Sequence, residues 1–410
     1  MQRASSAFVD ALRFGSAIVM GQVTVMANGA ATQYTVPLSD VQITIDRTSE
    51  NRRQGQVTMV LDPTVPPSPL MPTGPSSLLA PFGNEVKVEF SLVGDEGTPM
   101  QWIPCGVFAI ATTTVEDSTT DVTITLDLYD RSWVIAQRTL LAPYNVPAVG
   151  GAFEAEIAHL LDQVWSQSSN MPALVYNITP TDYVVPAGTY NQGEDPWQAA
   201  LDMAQSAGYE LFFDVNGVVT GFPIPDPTAQ PVSWTFNPAS VTAVGQLNAP
   251  STYDYQVSQN PFSTPAAVTV TMTRDQVYND FWVSATGPNN APSTTDTTAA
   301  PVQAEAKDSN PASPTYVGGG MGDVPQFTSD SLITSLAQAQ AEADYDLAQA
   351  LAQSWTVQVE CPPNPLFDID DVFSIVNPRV GLTGQKVVVD QVQFDISYAA
   401  TTQLQGRVIG

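Results

Sequence analysis

The densest group of residues able to do chemistry is Asp368, Asp370 and Asp371 in the run LFDIDDVF. Alternating carboxylates hold calcium when backbone carbonyls and a further carboxylate complete an oxygen shell. No EF-hand glycine or distal glutamate is in register with them, and a polar turn ahead of a strand from Val372 to Val376 explains the same spacing. The three aspartates stand as weak metal-ligand candidates, and no metal is expected. Arg52 and Arg53, in DRTSENRRQGQVTMVLD, are the only adjacent basic pair. Their guanidinium forks suit bidentate contact with an acidic neighbour, which makes them interface candidates; a solvated place where a strand begins accounts for them too.

His159 is the single histidine. Helical spacing sets it opposite Ile157 and near Glu156, Asp162 and Gln163, which reads as a solvated polar face, and a Ser–His–Asp hydrolase would depend on it alone. The chain carries no G-x-S-x-G elbow, H-E-x-x-H, Walker loop or G-x-G-x-x-G, and the run Gly318 to Gly322 lacks the lysine and flanking strand of a phosphate cradle. Paired carboxylates for glycoside hydrolysis need not be neighbours along a chain, and 41 acids offer nothing to single out one pair. Cys105 and Cys361 form no CxxC motif and read as isolated core thiols. No catalytic residue and no cofactor is expected.

The elements that would position these residues are mostly strands. Residues 3 to 13 suggest a short amphipathic helix. Ser16 to Met26, Gln33 to Val36, Val41 to Asp46, Gln56 to Leu61, Glu85 to Val93, Gly106 to Thr114 and Asp121 to Tyr129 then show strand-like alternation or short apolar runs. They are split by Asn28-Gly29, Gly94-Asp95 and a loop from Pro63 to Pro81. Seven strands at this spacing imply a barrel or sandwich. A second region opens with a helix over Phe153, Ile157, Leu160 and Val164, ending near Trp165. Asp195 is a natural N-cap, Pro196 suits the first helical position, and Gly208 supplies a left-handed stop, so a second short helix is bounded at both ends. A hairpin from Tyr209 follows, with Asn216-Gly217 as a two-residue turn. From Trp234 strands return at Val241 to Gln246, Tyr253 to Val257, Ala267 to Thr273 and Tyr278 to Thr286. A loop rich in Pro, Ser and Thr spans 287–327, and Thr328 and Ser329 are candidate caps for a helix over 330–353, with Leu332, Leu336, Ala339, Ala343, Leu347 and Leu351 near one face. Ser354 to Glu360, Val372 to Val376, Lys386 to Phe394 and Thr402 to Val408 complete a second β unit.

The bulk numbers agree with such an organisation. At 410 residues the chain is long enough for two or three cores. Three domains are expected: 1–145, the N-terminal helix with a first β-barrel; 146–230, a small α+β domain; and 231–410, a second β-barrel with the long loop and helix. The net charge of −28 rests on only three lysines, and no Lys or Arg falls between Arg138 and Arg274. Neutralising phosphates needs clustered cations, so specific nucleic-acid binding is not expected. A surface that DNA slides past without sticking has this composition; so does one that merely keeps a protein soluble. Asp10 interrupts what would have to be a signal peptide's apolar stretch, and no run of about 18 uncharged apolar residues occurs, so neither secretion nor membrane insertion by this chain is expected.

Several blocks in sequence order also carry a resemblance. TSENRRQGQVTMVLDP, LAPFGNEVKVEF, CGVFAIATTTVED and LDLYDRSWVIAQRTL are similar to the N-terminal half of minor tail proteins of long-tailed bacteriophages that infect actinobacteria. EDPWQAALDMAQSAGYELFFDVNGVVTGFPIP, YNDFWVSATG, AKDSNPASPTYVGGGMGDVP and CPPNPLFDIDDVFSIV continue it over nearly the whole chain. Such proteins resemble the tail hub, or baseplate hub, family. The resemblance implies a mainly β fold with an α+β part, two tube-like β-barrels flanking the small domain. It implies a homotrimer at the tail tip of the virion, whose six barrels continue the tail tube. Distal tail protein, tape-measure protein and tail fibre or spike proteins would be partners, and DNA would pass through the lumen without specific binding. Where such hubs often have glycine before the aspartate of the terminal turn, this chain has Asp370 before Asp371; that counts against a left-handed turn there, although Asp tolerates the geometry better than most residues. The rival reading is an enzyme or carbohydrate-binding module acting on a cell envelope, motivated by the carboxylates and aromatics; a third is an adhesin.

Overall fold

The computed structural model describes residues 2, 4–14, 19–27, 30–34, 38–61, 70–93, 98–118, 121–167, 171–237, 262–263, 267–275, 277–285, 302–311, 313–330, 332–333, 335–395 and 401–409. The expected strands Val241 to Gln246 and Tyr253 to Val257, the breaks at Asn28-Gly29 and Gly94-Asp95, and part of the loop from 287 lie outside these residues.

Helix α1 (Ser6–Phe14) buries Phe8 and Leu12, one turn apart, and Phe8 meets Phe90 edge-on with ring centroids 6.5 Å apart. Seven strands follow: β1 (Val19–Ala27), β2 (Ala30–Tyr34), β3 (Leu38–Asp46), β4 (Arg53–Leu61), β5 (Glu85–Leu92), β6 (Ile103–Asp117) and β7 (Val122–Tyr129). They pair antiparallel in the order β2-β1-β5-β6-β7-β4-β3. Period-two alternation sends Val57, Met59, Ile124, Leu126 and Leu128 into one core, as the pleat requires. The short helix α2 (Arg131–Ala136) ends this region, capped by Asp130, whose carboxylate accepts the Ser132 N–H at 3.0 Å.

The middle region has a core of its own. Strands β8 (Tyr144–Asn145) and β9 (Gly151–Ala152) lead into α3 (Phe153–Trp165), whose Phe153, Ile157, Leu160, Leu161 and Val164 are all buried. Three short strands, β10 (Tyr176–Ile178), β11 (Val184–Val185) and β12 (Thr189–Tyr190), precede α4 (Pro196–Ser206). The Asp195 carboxylate accepts the N–H groups of Trp197 at 2.8 Å and Gln198 at 3.2 Å, and Gly208 takes a φ of +71° just past the helix end. Strands β13 (Tyr209–Phe213) and β14 (Val219–Pro223) form the hairpin, with β10 parallel to β14. Its turn is longer than the expected two residues. Val215, Asn216 and Gly217 make a three-residue loop closed by the Asp214 N–H on the Val218 carbonyl at 2.9 Å. The Asp214 carboxylate accepts the Asn216 and Val218 N–H groups at 2.8 and 2.9 Å, and Gly217 at φ +72° supplies the left-handed residue that such a loop needs.

The last region contributes β15 (Trp234–Phe236), β16 (Phe262–Ser263), β17 (Ala267–Met272), β18 (Asp280–Ala285), β19 (Gln303–Lys307), β20 (Pro325–Asp330), α5 (Leu336–Gln353), β21 (Trp355–Cys361), β22 (Val372–Asn377), β23 (Leu382–Asp395) and β24 (Thr402–Ile409). Long β23 joins the molecule together. One of its edges carries β24, while the other carries β22 as far as Val388 and then, beyond a register shift between Val389 and Gln391, carries β3 from Gln391 to Asp395. The mainly β architecture therefore holds two β regions as one 14-stranded sheet over one shared core, and among the described residues no pairing closes either ladder into a ring. A separate sheet, β19-β18-β20, lies against α5 around Phe281, Val283, Ala339 and Ala343.

Two further expected elements need correction. The helix starts at Leu336, not near 330, because Thr328 and Ser329 belong to β20 and pair with β18. Ser335 is the cap: its hydroxyl accepts the Gln338 N–H while the Gln338 side chain accepts the Ser335 N–H, a reciprocal capping box. Leu336 is 59% exposed, and the buried stripe is the alanines Ala339, Ala343 and Ala350. The stretch 287–327 is not all loop, since β19 and the start of β20 lie within it.

Ile45 is 1% exposed and opposes Val392 across the β3–β23 junction. Ile45→Ala is expected to cost about 2–5 kcal/mol. Denaturant unfolding followed by tryptophan fluorescence and far-UV circular dichroism should show one coincident transition, moved as a whole; an early transition confined to one β region would contradict the shared core.

Candidate functional site

The turn between β3 and β4, residues 47–52, carries three arginines, counting Arg53 at the start of β4, and all three turn inward. Arg53 Nη2 donates to both Asp368 carboxylate oxygens at 2.8 and 2.6 Å, and the Arg53 side chain is 1% exposed. Arg52 Nη1 donates to Glu210 Oε1 on β13 at 2.8 Å, its Nη2 lies 3.9 Å from Asp370, and its guanidinium sits 3.8 Å from the Phe212 ring centroid. Arg47 Nη1 donates to Asp370 Oδ1 at 2.6 Å, and Nη2 donates to the Tyr345 hydroxyl of α5 at 3.0 Å.

The sequence candidates thus meet one another. Asp368 and Asp370 are the acidic neighbours of the arginine pair, 315 residues away in the case of Arg53 and Asp368. Neither Arg52 nor Arg53 is solvated. Asp371 turns elsewhere, accepting the Asp368 N–H at 2.8 Å. The three aspartates therefore do not converge on one point, and among the described residues no group of three or more His, Cys, Asp or Glu side chains is placed to hold a metal ion. Asp370 has φ +66°, so the left-handed turn is present without a glycine. Such a conformation costs on the order of 1 kcal/mol for a residue with a side chain. Glycine would avoid that cost but could not receive Arg47 and Arg52.

Two further pairs extend the seam. Arg131 donates to both Glu85 oxygens at 2.7 and 2.8 Å and to the Gly217 carbonyl at the hairpin tip at 2.7 Å. Arg407 donates to Asp390 at 2.6 Å, at the register shift in β23. Backbone contacts run alongside: Trp197 Nε1 donates to the Glu50 carbonyl at 3.1 Å, and the Arg47 N–H to the Asp390 carbonyl at 3.0 Å. Glu210, Tyr345, Asp390 and Glu85 gave no signal in the sequence, each reading locally as an ordinary polar position in a strand or helix, and Gly217 was legible as a turn glycine but not as a partner of Arg131.

Electrostatics follow from burial. Burial pushes the Asp368 carboxyl up, but Arg53 and Arg52 outweigh it and hold it below the usual carboxylate range. In the buried Glu210–Asp370 pair, desolvation raises both; Arg52 brings Glu210 back down, whereas the Glu210 carboxylate drives Asp370 up further. Asp130, which accepts the Arg53 N–H at 3.0 Å, is raised by burial. A cavity of about 410 Å³ opens at the Arg47, Arg52, Glu210 and Tyr345 side of the seam. A larger one of about 1190 Å³ lies beyond Tyr345, between the 224–228 linker, the face of α5 bearing Ala341, Glu342 and Ala348, and the end of β24. Glu342 there is 9% exposed, its Oε1 has no hydrogen-bond partner, and burial with Asp330 and Asp346 nearby pushes its carboxyl up to about 7.

The other candidates stay apart. His159 is exposed, while Glu156, expected beside it in solvent, is buried and accepts the Tyr144 hydroxyl at 2.5 Å. Cys105 and Cys361 are both buried free thiols in the shared core, raised by desolvation. No described helix is long and apolar enough to cross a membrane. With its carboxylates held by guanidinium groups, the seam is built to brace three regions against one another.

The chain thus has a mainly β fold in which two β regions share a sheet beside an α+β module. That fold is shared by phage tail proteins of known structure. The tail protein from Neisseria meningitidis superposes with a TM-score of 0.60 at 13% identity, covering 95% of this chain and 96% of that one. The 43 kDa tail protein of prophage MuSo2 from Shewanella oneidensis gives 0.55 at 12% identity, covering 94% and 98%. A prophage tail protein from Listeria monocytogenes gives 0.52 at 8% identity, covering 94% of each. The chain matches no protein-family model and no curated protein sequence.

Removing Arg53 strands Asp368 next to a buried strand start, so Arg53→Ala is expected to lower stability by about 3 kcal/mol or more. Arg53→Met with Asp368→Asn should recover much of that loss in chemical denaturation; equal losses in the single and double variants would show that the pair is not the source. Glu342 works in the opposite sense with pH. Its folded carboxyl is raised to about 7, against about 4.3 unfolded. Its contribution is therefore complete below the unfolded value and lost as pH rises through 7. Glu342→Gln should lose less melting temperature than the parent between pH 5 and pH 8, as read by differential scanning calorimetry at each pH.

Proposed function

We propose that this chain is a structural phage tail protein that acts as a hub at the tail tip of the virion, without enzymatic activity. Three copies form a ring that continues the tail tube, with the two β regions of each chain as successive wall segments and the α+β module at the rim. The observation that carries this reading is the β3–β23 junction, which makes the two β regions one mechanical piece, in a fold shared over nearly the full length of the tail proteins. Three domains, 1–145, 146–230 and 231–410, serve as units of that piece. The composition supports a conduit for DNA: of the ten arginines in the chain, five among the described residues face inward in ion pairs, which leaves few cations to hold a polyanion. Distal tail protein, tape-measure protein and tail fibre or spike proteins are the partners this position requires. Arg52 and Arg53 act in the assembly indirectly, by fixing the angle between regions.

Purified protein is expected to sediment, or to register in mass photometry, at about three times its 43.7 kDa chain mass, with a threefold ring and an open axis in negative-stain images. A monomer at every concentration tried, or a compact particle without an axial channel, would sink the proposal.

A further inference from the structure

The β19-β18-β20 sheet has two unlike faces. The inner one buries Phe281, Val283, Ala304 and Ala306 against α5. On the outer one the register aligns Glu305, Trp282 and Phe327 in a single row, one residue from each strand. Trp282 and Phe327 are near-parallel, 23° apart with ring centroids at 6.4 Å, and Phe327 is 69% exposed. The Trp282 indole N–H donates to Asp280 Oδ2 at 3.1 Å, which fixes the rotation of the ring. The neighbouring row is Gln303, Ser284 and Ser329, whose two hydroxyls lie 2.9 Å apart, and the row on the other side is Lys307, Asp280 and Pro325.

An exposed Phe327 ring beside a half-buried Trp282 ring marks a candidate binding surface, and the residues around them say what kind. A protein-docking patch widens into further apolar residues that exclude water at its centre. Here hydroxyl, amide and carboxylate groups flank the rings instead. A single-stranded nucleic acid also stacks on aromatic rings but needs cations for its phosphates. The one cation of this face among the described residues, Lys307, is paired with Glu305 at 2.6 Å. What matches a ring face bordered at strand spacing by hydrogen-bonding groups, without cations to spare, is a pyranose: its axial C–H groups form an apolar face, and its hydroxyls radiate from the edge. Three strands span about 10 Å, room for two linked sugar rings. A ring already held by Asp280 loses little freedom on binding, which favours affinity from a small contact.

We propose that the outer face of the β19-β18-β20 sheet is a binding site for a neutral polysaccharide, with sugar rings stacked on Trp282 and Phe327 and hydroxyls bonded by Gln303, Ser284, Ser329 and Glu305. The site stands on this face alone and does not depend on the ring assembly. Native gel electrophoresis of the full chain through gels containing laminarin, hydroxyethylcellulose, mannan or arabinogalactan provides the test. At least one of these polymers should retard the protein. Trp282→Ala and Phe327→Ala should each weaken that retardation by about tenfold or more, while Trp282→Phe keeps most of it; unchanged thermal melting shows that the variants are folded. Retardation by none of the four polymers overturns the proposal, as does full retardation of the Trp282→Ala, Phe327→Ala double variant. So does loss of self-association on Trp282→Ala without any retardation of the parent, because the face would then be a protein contact. Failure of this test leaves the ring measurement unaffected, and the reverse holds too.

Discussion

The structure depends on burying guanidinium groups where three regions meet. An arginine taken out of water is costly unless a carboxylate accepts from it in good geometry. Arg53 donates through Nη2 to both oxygens of Asp368 in the last region, Arg52 to Glu210 in the middle one, and Arg131, paired with Glu85 in its own region, reaches the Gly217 carbonyl of the hairpin. Because Arg47, Arg52 and Arg53 each find their carboxylate in another region, those pairs form only when the regions sit at one relative angle. Apolar surfaces would stick at several angles, since the hydrophobic effect has no direction. The ion pairs select one of them, and the shared core supplies the bulk of the burial.

This arrangement explains a local oddity at Asp370. A residue with a side chain at φ +66° stores strain, and strain persists only where surroundings over-determine the geometry. Here the Asp370 N–H donates to the Val389 carbonyl, its carboxylate receives Arg47, and Arg52 stands close by. The same carboxyl is raised by burial and by Glu210, so the turn, the pair and the proton are linked. The β23 register shift lies beside it, with Asp390 bound to Arg407. The strained turn and the irregular strand thus sit together at the junction of the two β regions.

Much of the fold was legible in the chain because its signals are local. Period-two alternation identified the strands that flank the core, and the Asp195-Pro196 start with the Gly208 stop bounded α4 at both ends. Phe153 to Trp165 emerged as a helix from its apolar spacing alone. What was not legible is set mostly by partners distant in sequence, and in one case by a local side chain. Thr328 and Ser329 resemble helix caps until β18 claims them as strand residues. The three-residue hairpin loop depends on the Asp214 carboxylate bonding two N–H groups, which the Asn-Gly signal does not reveal. Of the seam, the sequence offered the Arg52-Arg53 pair and the aspartate run as separate oddities. Nothing in either run names the other, because complementary charge has no periodicity, and Glu210 or Tyr345 can be recognised only once the chain has folded back.

The β3–β23 pairing also orders events in time. Asp46 and Gln391, which meet there side chain to side chain at 2.8 Å, are 345 residues apart. On the ribosome, the N-terminal ladder can form long before its last partner is made, leaving one rim of β3 with unmatched amide and carbonyl groups. Such a rim is a template for pairing with another nascent chain, and contacts this distant are slow to close. Fast synthesis would therefore favour tangles between neighbouring polypeptides, and slow translation or chaperone shielding of that rim would favour the correct product.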